Sequence, residues 1–198
     1  MKIAIIGKGN VGGALAKSLA AAGNTVTHTT RGEEAAAVAD ADAVVLAIPY
    51  AALGDVAPRI AATAKGKLVI DATNPIRADH GGLATAGGPS GAENVARLLP
   101  GARVAKAFNT LFASLQGDPK IHGVEIDALF ATDDDRAKSE VAALVRSMGF
   151  RPVYVGPLAR AAELEALAWL NISLQVQHGG DWRSTFTLVG APEKAVKD

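Results

Sequence analysis

Three glycines, Gly7, Gly9 and Gly12, stand in the spacing G-x-G-x-x-G within "IIGKGNVGGALAKSLAAAG", between an aliphatic run and an alanine-rich stretch. Each glycine has its own physical use. Gly7 permits a tight turn, Gly9 lets main chain approach a ligand with no Cβ between them, and Gly12 lets a helix pack closely on a strand. If the alanine-rich stretch is a helix, the N–H groups near Asn10, Val11 and Gly12 face an anion, and the helix dipole adds to the attraction. Lys8 lies inside the same loop. The spacing alone is weak in a chain with 21 glycines, and it also describes a turn with no ligand. Its context, after a strand, before a helix and within ten residues of the amino terminus, points to the pyrophosphate of a dinucleotide.

The second strand ends in "THTTRG", where an acid that holds a ribose 2′-hydroxyl would stand in an NAD site. Thr29, Thr30 and Arg31 stand there instead. A guanidinium pairs well with a 2′-phosphate, hydroxyls can donate to it, and no carboxylate repels it. The expectation is therefore NADP(H) in preference to NAD(H). The alternative is a solvated Arg31 with Glu33 or Glu34 folded back to the ribose, but their place at the start of the next helix favours a dipole role. Three more strand ends converge on the same rim. "LAIPY" brings Ala47, Ile48, Pro49 and Tyr50, "DATNP" brings Thr73, Asn74 and Pro75, and "KAFNT" brings Phe108, Asn109 and Thr110. Proline and asparagine are ordinary turn residues, yet together these ends line the expected nicotinamide end, where Asn74 and Asn109 can bond the ribose or the carboxamide. Asp71 reads as a buried hydrogen-bonding residue. His28 reads as a strand residue beside the adenosine pocket, and His80 as a loop residue within reach of substrate. The four histidines lack ligand spacing and there is no cysteine, so no metal site is expected.

These residues need a frame that brings strand ends together. Strands are predicted over 2–6, 24–30, 42–49, 66–75, 102–108, 124–132 and 151–156. Helices are predicted over 12–23, 33–40, 51–64 (in two pieces around Pro58), 92–101, 133–149 and 157–180, with a capping box at Ser90 and Glu93. Residues 76–91 read as a long loop, a mobile lid over the acceptor, and 181–190 as a strand or an extended arm. Alternating β and α units imply an α/β fold, a Rossmann-type doubly wound parallel sheet with a short C-terminal helix and arm. The whole of 1–198 reads as one NADP-binding domain, with 157–198 as that helix and arm. The 198 residues carry 20 basic and 20 acidic side chains, which disfavours nucleic acid and anionic membrane as partners. The first apolar run breaks at Gly7, short of a signal-peptide core, and no window reaches the length of a membrane helix, so a cytoplasmic protein is expected.

The segments "GKGNVGGALA", "TTR", "AIPY", "DATNP", "PSGAENVARLLPGARVAKAFNT" and "GPLARAAELEALAWL" together resemble the NADP-dependent coenzyme F420 oxidoreductase family, which includes the cytosolic domain of the membrane ferric reductases called STEAP. The likeness runs over about residues 1–170, and "SGAENVARLLPGARVAKAFNT" is its most specific part. The resemblance implies a Rossmann domain that binds NADPH and passes its hydride to a deazaflavin (coenzyme F420) or to a flavin such as FMN or FAD. It also implies Gly7, Gly9, Asn10, Val11 and Gly12 on the phosphates, Thr30 and Arg31 on the 2′-phosphate, and Ile48, Pro49, Asn74 and Asn109 at the nicotinamide. No side-chain acid or base is implied: the rings stack, the hydride moves directly, and Pro49, Asn74 and Asn109 position it.

Other classes fit less well. A short-chain dehydrogenase needs Tyr-x-x-x-Lys, but Gly54 stands four after Tyr50 and Leu158 four after Tyr154. Imine reductases and β-hydroxyacid dehydrogenases need a large helical second domain. A non-catalytic NADPH sensor would share the glycine loop and Arg31 but lack an open cleft beside the nicotinamide. Trp169, Trp182 and Phe186 suggest a homodimer in which the arm packs on a partner.

Overall fold

Alternate residues of a strand face opposite sides of a sheet, and here both sides are apolar. In β1 (Lys2–Ile6), Ile3 and Ile5 enter one core cluster while Ala4 and Ile6 enter the other. A strand covered on both faces by helices reads as a continuous hydrophobic run. The same holds in β3 (Ala43–Leu46) and β4 (Leu68–Asp71), every residue of which is buried. The computed structural model describes residues 1–29, 31–190 and 192. Thr30, expected at the 2′-phosphate, lies outside the described residues.

Along the chain, α1 (Asn10–Ala21), β2 (Thr25–Thr29) and α2 (Glu34–Asp40) precede β3. α3 (Leu53–Ile60) precedes β4, and α4 (Gly91–Leu98) leads into β5 (Arg103–Ala107). A small hairpin follows, β6 (Lys120–Ile121) with β7 (Val124–Glu125). β8 (Asp127–Thr132), α5 (Asp135–Ser147), β9 (Arg151–Gly156) and α6 (Ala161–His178) complete the order. The main sheet runs β2-β1-β3-β4-β5-β8-β9. α1 and α5 cover one face through Leu15, Leu19, Val141 and Val145, and α2, α3 and α4 cover the other through Val38, Val56, Ile60 and Val95. A third, smaller cluster joins Leu164 of α6 to Leu129 and Val153.

The expected α/β Rossmann-type fold is present, with one correction to the wholly parallel sheet. β8 pairs antiparallel with β5, while β9 is parallel to β8. No crossover helix separates β5 from β8. The chain returns through a 3-10 turn and the β6–β7 hairpin, so β8 enters at the end where β5 left. α5 supplies the crossover that makes β9 parallel. Other boundaries also shift. The strand expected over 124–132 is two elements, β7 and β8. A 3-10 turn at Tyr50–Ala52 precedes α3, which then continues through Pro58 instead of dividing there. Another 3-10 turn, at Leu158–Arg160, precedes α6. Residues 181–190 form no strand. They fold back on their own chain, with Leu188 N donating to Asp127 Oδ2 at 2.7 Å and Asn171 Nδ2 to Ser184 O at 3.0 Å. The capping box stands as expected: Glu93 N donates to Ser90 Oγ, and Ser90 N to Glu93 Oε2.

Candidate functional site

In a doubly wound sheet ligands bind beyond the carboxyl ends of the strands, where the order reverses. Here β2 and β3 lie on opposite sides of β1, so the reversal lies between the ends of β1 and β3. Gly7 follows β1 with φ of 116°, a conformation open to glycine, and a Cβ on it would meet Ala47 O at 2.2 Å. A Cβ on Gly12 would meet Gly7 O at 2.0 Å. The turn, the first helix and the end of β3 are therefore locked together at main-chain distance. A Cβ on Gly9 would meet no protein atom within 4 Å. Gly9 is also the N-cap of α1 and offers no side chain to the first turn, so the amides of Asn10, Val11 and Gly12 have no side-chain cap.

Two cavities open along this rim. One, of about 370 Å³, lies over the ends of β2, β1 and β3, between Gly7, Thr29, Arg31 and Ile48. Thr29 is buried, and its Oγ1 has no partner among the described residues. Glu34 reaches into the same cavity, accepting from Gly32 N at 2.7 Å and lying 3.5 Å from Arg59 of α3. Glu34 is thus more than a dipole partner of α2: it is a buried carboxylate facing Arg31's cavity. The second cavity, of about 350 Å³, lies over the ends of β4 and β5 and is walled by Val11, Asn74, Phe108, Asn109, Ile172 and Trp182. Of the non-glycine residues described with positive φ, His80 (52°), Phe108 (64°) and Trp182 (59°) all line it. Such conformations carry strain and concentrate at functional sites. A larger open groove, about 890 Å³, runs beside α1 past Lys8 and Lys17 to Ser114, away from the strand ends that carry Arg31 and Asn74.

The two asparagines come together, though largely to bond each other. Asn74 Nδ2 donates to Asn109 O at 2.9 Å. Asn109 Nδ2 donates to Asn74 Oδ1 at 2.9 Å and to Leu164 O at 3.1 Å. Asn109 Oδ1 remains buried without a partner among the described residues. Ile48 lines the first cavity, and Ala47 backs the Gly7 turn through Ala47 N to Ile6 O. Pro49 is exposed at the start of the 3-10 turn, whereas Pro75 is buried and its carbonyl accepts from Ala84 N. Phe108 is fully buried and closes the floor of the second cavity. Lys8 stands at the mouth of the first. His28 donates through Nε2 to Gly12 O, 3.0 Å away, which ties β2 to the glycine turn. The loop over 76–91 is a closed turn, bridged at Ile76 and Leu83, and it adds Ile76 and His80 to the second cavity.

Beneath Asn74 lies a group that sequence reasoning missed. Lys106, the penultimate residue of β5, is fully buried, and its Nζ reaches Asp71 Oδ2 (2.8 Å), Glu165 Oε1 (2.8 Å) and Thr73 O (2.6 Å). All three ammonium donors are matched. Glu165 of α6 also accepts from Gly91 N and Ala92 N at the start of α4, where the dipole favours a carboxylate. Asp71 has the buried hydrogen-bonding role expected of it. A lysine flanked by aliphatic strand residues in "RVAKAF" was the available signal, because a buried charge must have a partner.

The family model described as NADP oxidoreductase coenzyme F420-dependent matches residues 2–39 and 27–75. The F420-dependent NADP reductase of Methanothermobacter marburgensis is 33% identical over 216 residues, covering 90% of this chain and 94% of that protein. Metalloreductase STEAP3 of Rattus norvegicus is 30% identical over 188 residues, and the match takes in 84% of this chain but 36% of that protein. The crystal structure of a candidate F420-dependent NADP reductase from Arthrobacter sp. FB24 superposes with a TM-score of 0.87 at 29% identity, covering 96% of this chain and 100% of that one. Among the described residues no helix is long and apolar enough to cross a membrane. With a reductase of about the same length matched almost end to end, the chain belongs to the F420-dependent NADP reductase family of NADP-dependent oxidoreductases.

Proposed function

We propose that this chain transfers a hydride between NADP(H) and coenzyme F420, with FMN and FAD as the competing acceptors. The observation that carries the reading is the pair of cavities on one strand-end rim: a cation- and hydroxyl-lined one over β2, β1 and β3, and an apolar, strained one over β4 and β5. The glycine turn lies between them. From β2 to β5 the rim spans about 19 Å at the usual strand spacing, suited to an extended dinucleotide with its adenosine end at Arg31 and its reactive ring near Asn109.

The residues fit such a ligand. The uncapped amides of Asn10, Val11 and Gly12 bind the pyrophosphate, with Lys8 beside them. Arg31 and Thr29 Oγ1, a buried hydroxyl with no partner among the described residues, hold the 2′-phosphate. Asn109 Oδ1 accepts from the carboxamide, and the Asn74–Asn109 hydrogen bonds fix its direction. Ile48 and Pro49 limit where the ribose can lie. The bound nicotinamide supplies or accepts the hydride. Phe108, Ile172 and Trp182 exclude water from the second cavity, so that the acceptor ring is held against its partner by shape and stacking. On this reading the hydride passes directly between the stacked rings, and no side-chain acid or base is required. The open second cavity favours an enzyme over an NADPH sensor. Exposed Leu170, Leu174 and Val176 on α6 support a homodimer, and the absence of cysteine agrees with a cytoplasmic setting.

The test mixes purified protein with NADPH and, separately, F420, FMN and FAD, and follows loss of reduced-nicotinamide absorbance. Loss with F420 alone is expected. Loss only with a flavin overturns the acceptor, and NADPH binding without turnover on any acceptor transfers the case to the sensor.

A further inference from the structure

The cavity expected to take the 2′-phosphate contains a carboxylate, and a carboxylate in that place normally selects the unphosphorylated ribose. Glu34 is 3% exposed, held by Gly32 N and aimed beside Thr29 and Arg31. Left alone it would repel a phosphate dianion at short range in a partly buried site. It is not left alone. Arg59 projects from α3 into the same cavity, with a terminal nitrogen 3.5 Å from Glu34 Oε1. Arg59 Nε is buried and has no partner among the described residues. Thr29 Oγ1 shares that condition in the same cavity. Two polar groups buried without partners on one wall call for a ligand atom there, since an unmet buried donor is costly.

We infer that Arg59 is a specificity-determining residue: it neutralises Glu34 and offers its remaining donors to the 2′-phosphate, converting a site with an NAD-type acid into one that prefers NADP(H). The inference rests on the NADP(H) reading above. The charges facing the cavity are Lys8, Arg31 and Arg59 against Glu34 and Asp55. With Arg59 the balance is one positive charge, which suits a phosphate. Without it the balance is neutral, and Glu34 becomes a bare buried carboxylate turned toward the ribose. A guanidinium donor fork matches both the carboxylate and a phosphate, which an ammonium in its place would not. Arg31 and Arg59 therefore differ in kind: the first attracts the phosphate, and the second both attracts it and removes the group that would reject it.

The experiment measures binding of NADPH and NADH, and of adenosine 2′,5′-bisphosphate and 5′-AMP, to the wild type, Arg59→Gln, Glu34→Gln and the double variant. Arg59→Gln should weaken NADPH and the bisphosphate by about 10- to 100-fold, the range of a charge-assisted hydrogen bond, and should change NADH and 5′-AMP by less than about threefold. In the double variant, part of the lost NADPH affinity should return because the repelling carboxylate is gone. Glu34→Gln alone keeps both cations and should raise the NADPH-to-NADH preference by several-fold. That variant decides the matter even if Arg59→Gln does not fold. Unchanged preference in Arg59→Gln, equal loss for both nucleotides, or unchanged preference in Glu34→Gln overturns the inference while leaving the NADP(H) reading intact. A wild type that binds neither nucleotide overturns that reading and this inference together.

Discussion

Replacing Lys106 by methionine removes the cation shared by two fully buried carboxylates. Asp71 Oδ2 and Glu165 Oε1 each lie 2.8 Å from Nζ, so the two oxygens can be no more than about twice that distance apart. Methionine keeps the length and much of the volume of lysine, so little cavity forms, and the cost is electrostatic. Breaking a buried pair by removing one partner costs about 3–5 kcal/mol. For a chain of this size each kcal/mol lowers the melting temperature by about 2–4 °C. Lys106→Met should therefore lower it by about 6–20 °C in a calorimetric or fluorescence melt at pH 7. Thr73 O also loses its donor, which loosens the strand end that carries Asn74. The control is Lys106→Met combined with Glu165→Gln, which removes one of the opposed charges while keeping an acceptor oxygen toward Gly91 N. It should recover at least half of the loss. A single variant within about 2 °C of wild type, or a double variant as unstable as the single one, would refute the account of the trio as a mutually dependent buried charge cluster.

Three further outcomes are expected. Arg31→Ala should weaken NADPH by about 10-fold or more and NADH by less than about threefold in equilibrium titrations; equal weakening would remove Arg31 from the 2′-phosphate. Gly9→Ala should melt like wild type, because its Cβ meets no protein atom, yet lose nucleotide affinity, whereas Gly12→Ala should cost about 1–3 kcal/mol or more of stability because its Cβ would lie 2.0 Å from Gly7 O. Asp79, held below the usual carboxylate range first by Gly81 N–H and then by Arg77, favours the closed 76–91 turn when ionised; a depressed carboxyl contributes above its ordinary pKa and loses that contribution as pH falls through its lower folded value. The protection of the Gly81 amide, its exchange rate taken relative to the intrinsic rate at each pH, should therefore fall on acidification below about pH 4, and an unchanged protection would contradict this.

The glycine turn was legible because its causes are local. A tight turn, a close helix and an uncapped first turn all follow from the residue types at 7, 9 and 12. The sheet was legible in the same way, from aliphatic runs broken by turn residues, and so was the capping box at Ser90. Where a strand goes is another matter. "VEIDALFAT" looks like its neighbours, but β8 runs the opposite way because no crossover helix precedes it, which depends on how 108–126 folds. Pro58 likewise looked like a break in a helix, and it is accommodated within the second turn of α3.

At the site, residue types announced an anion-binding turn and an arginine at the end of β2, because attraction between amides, guanidinium and phosphate is a property of the groups themselves. Pairing was decided only in three dimensions. Glu34 meets Arg59 across two helices, Lys106 finds Glu165 59 residues away, and Asn74 and Asn109 occupy each other's donors. A charge or an amide states in sequence what it can bond, but not which of many possible partners the packing will bring within 3 Å. Short-range electrostatics and hydrogen bonding fall off too steeply for the answer to come before the fold does.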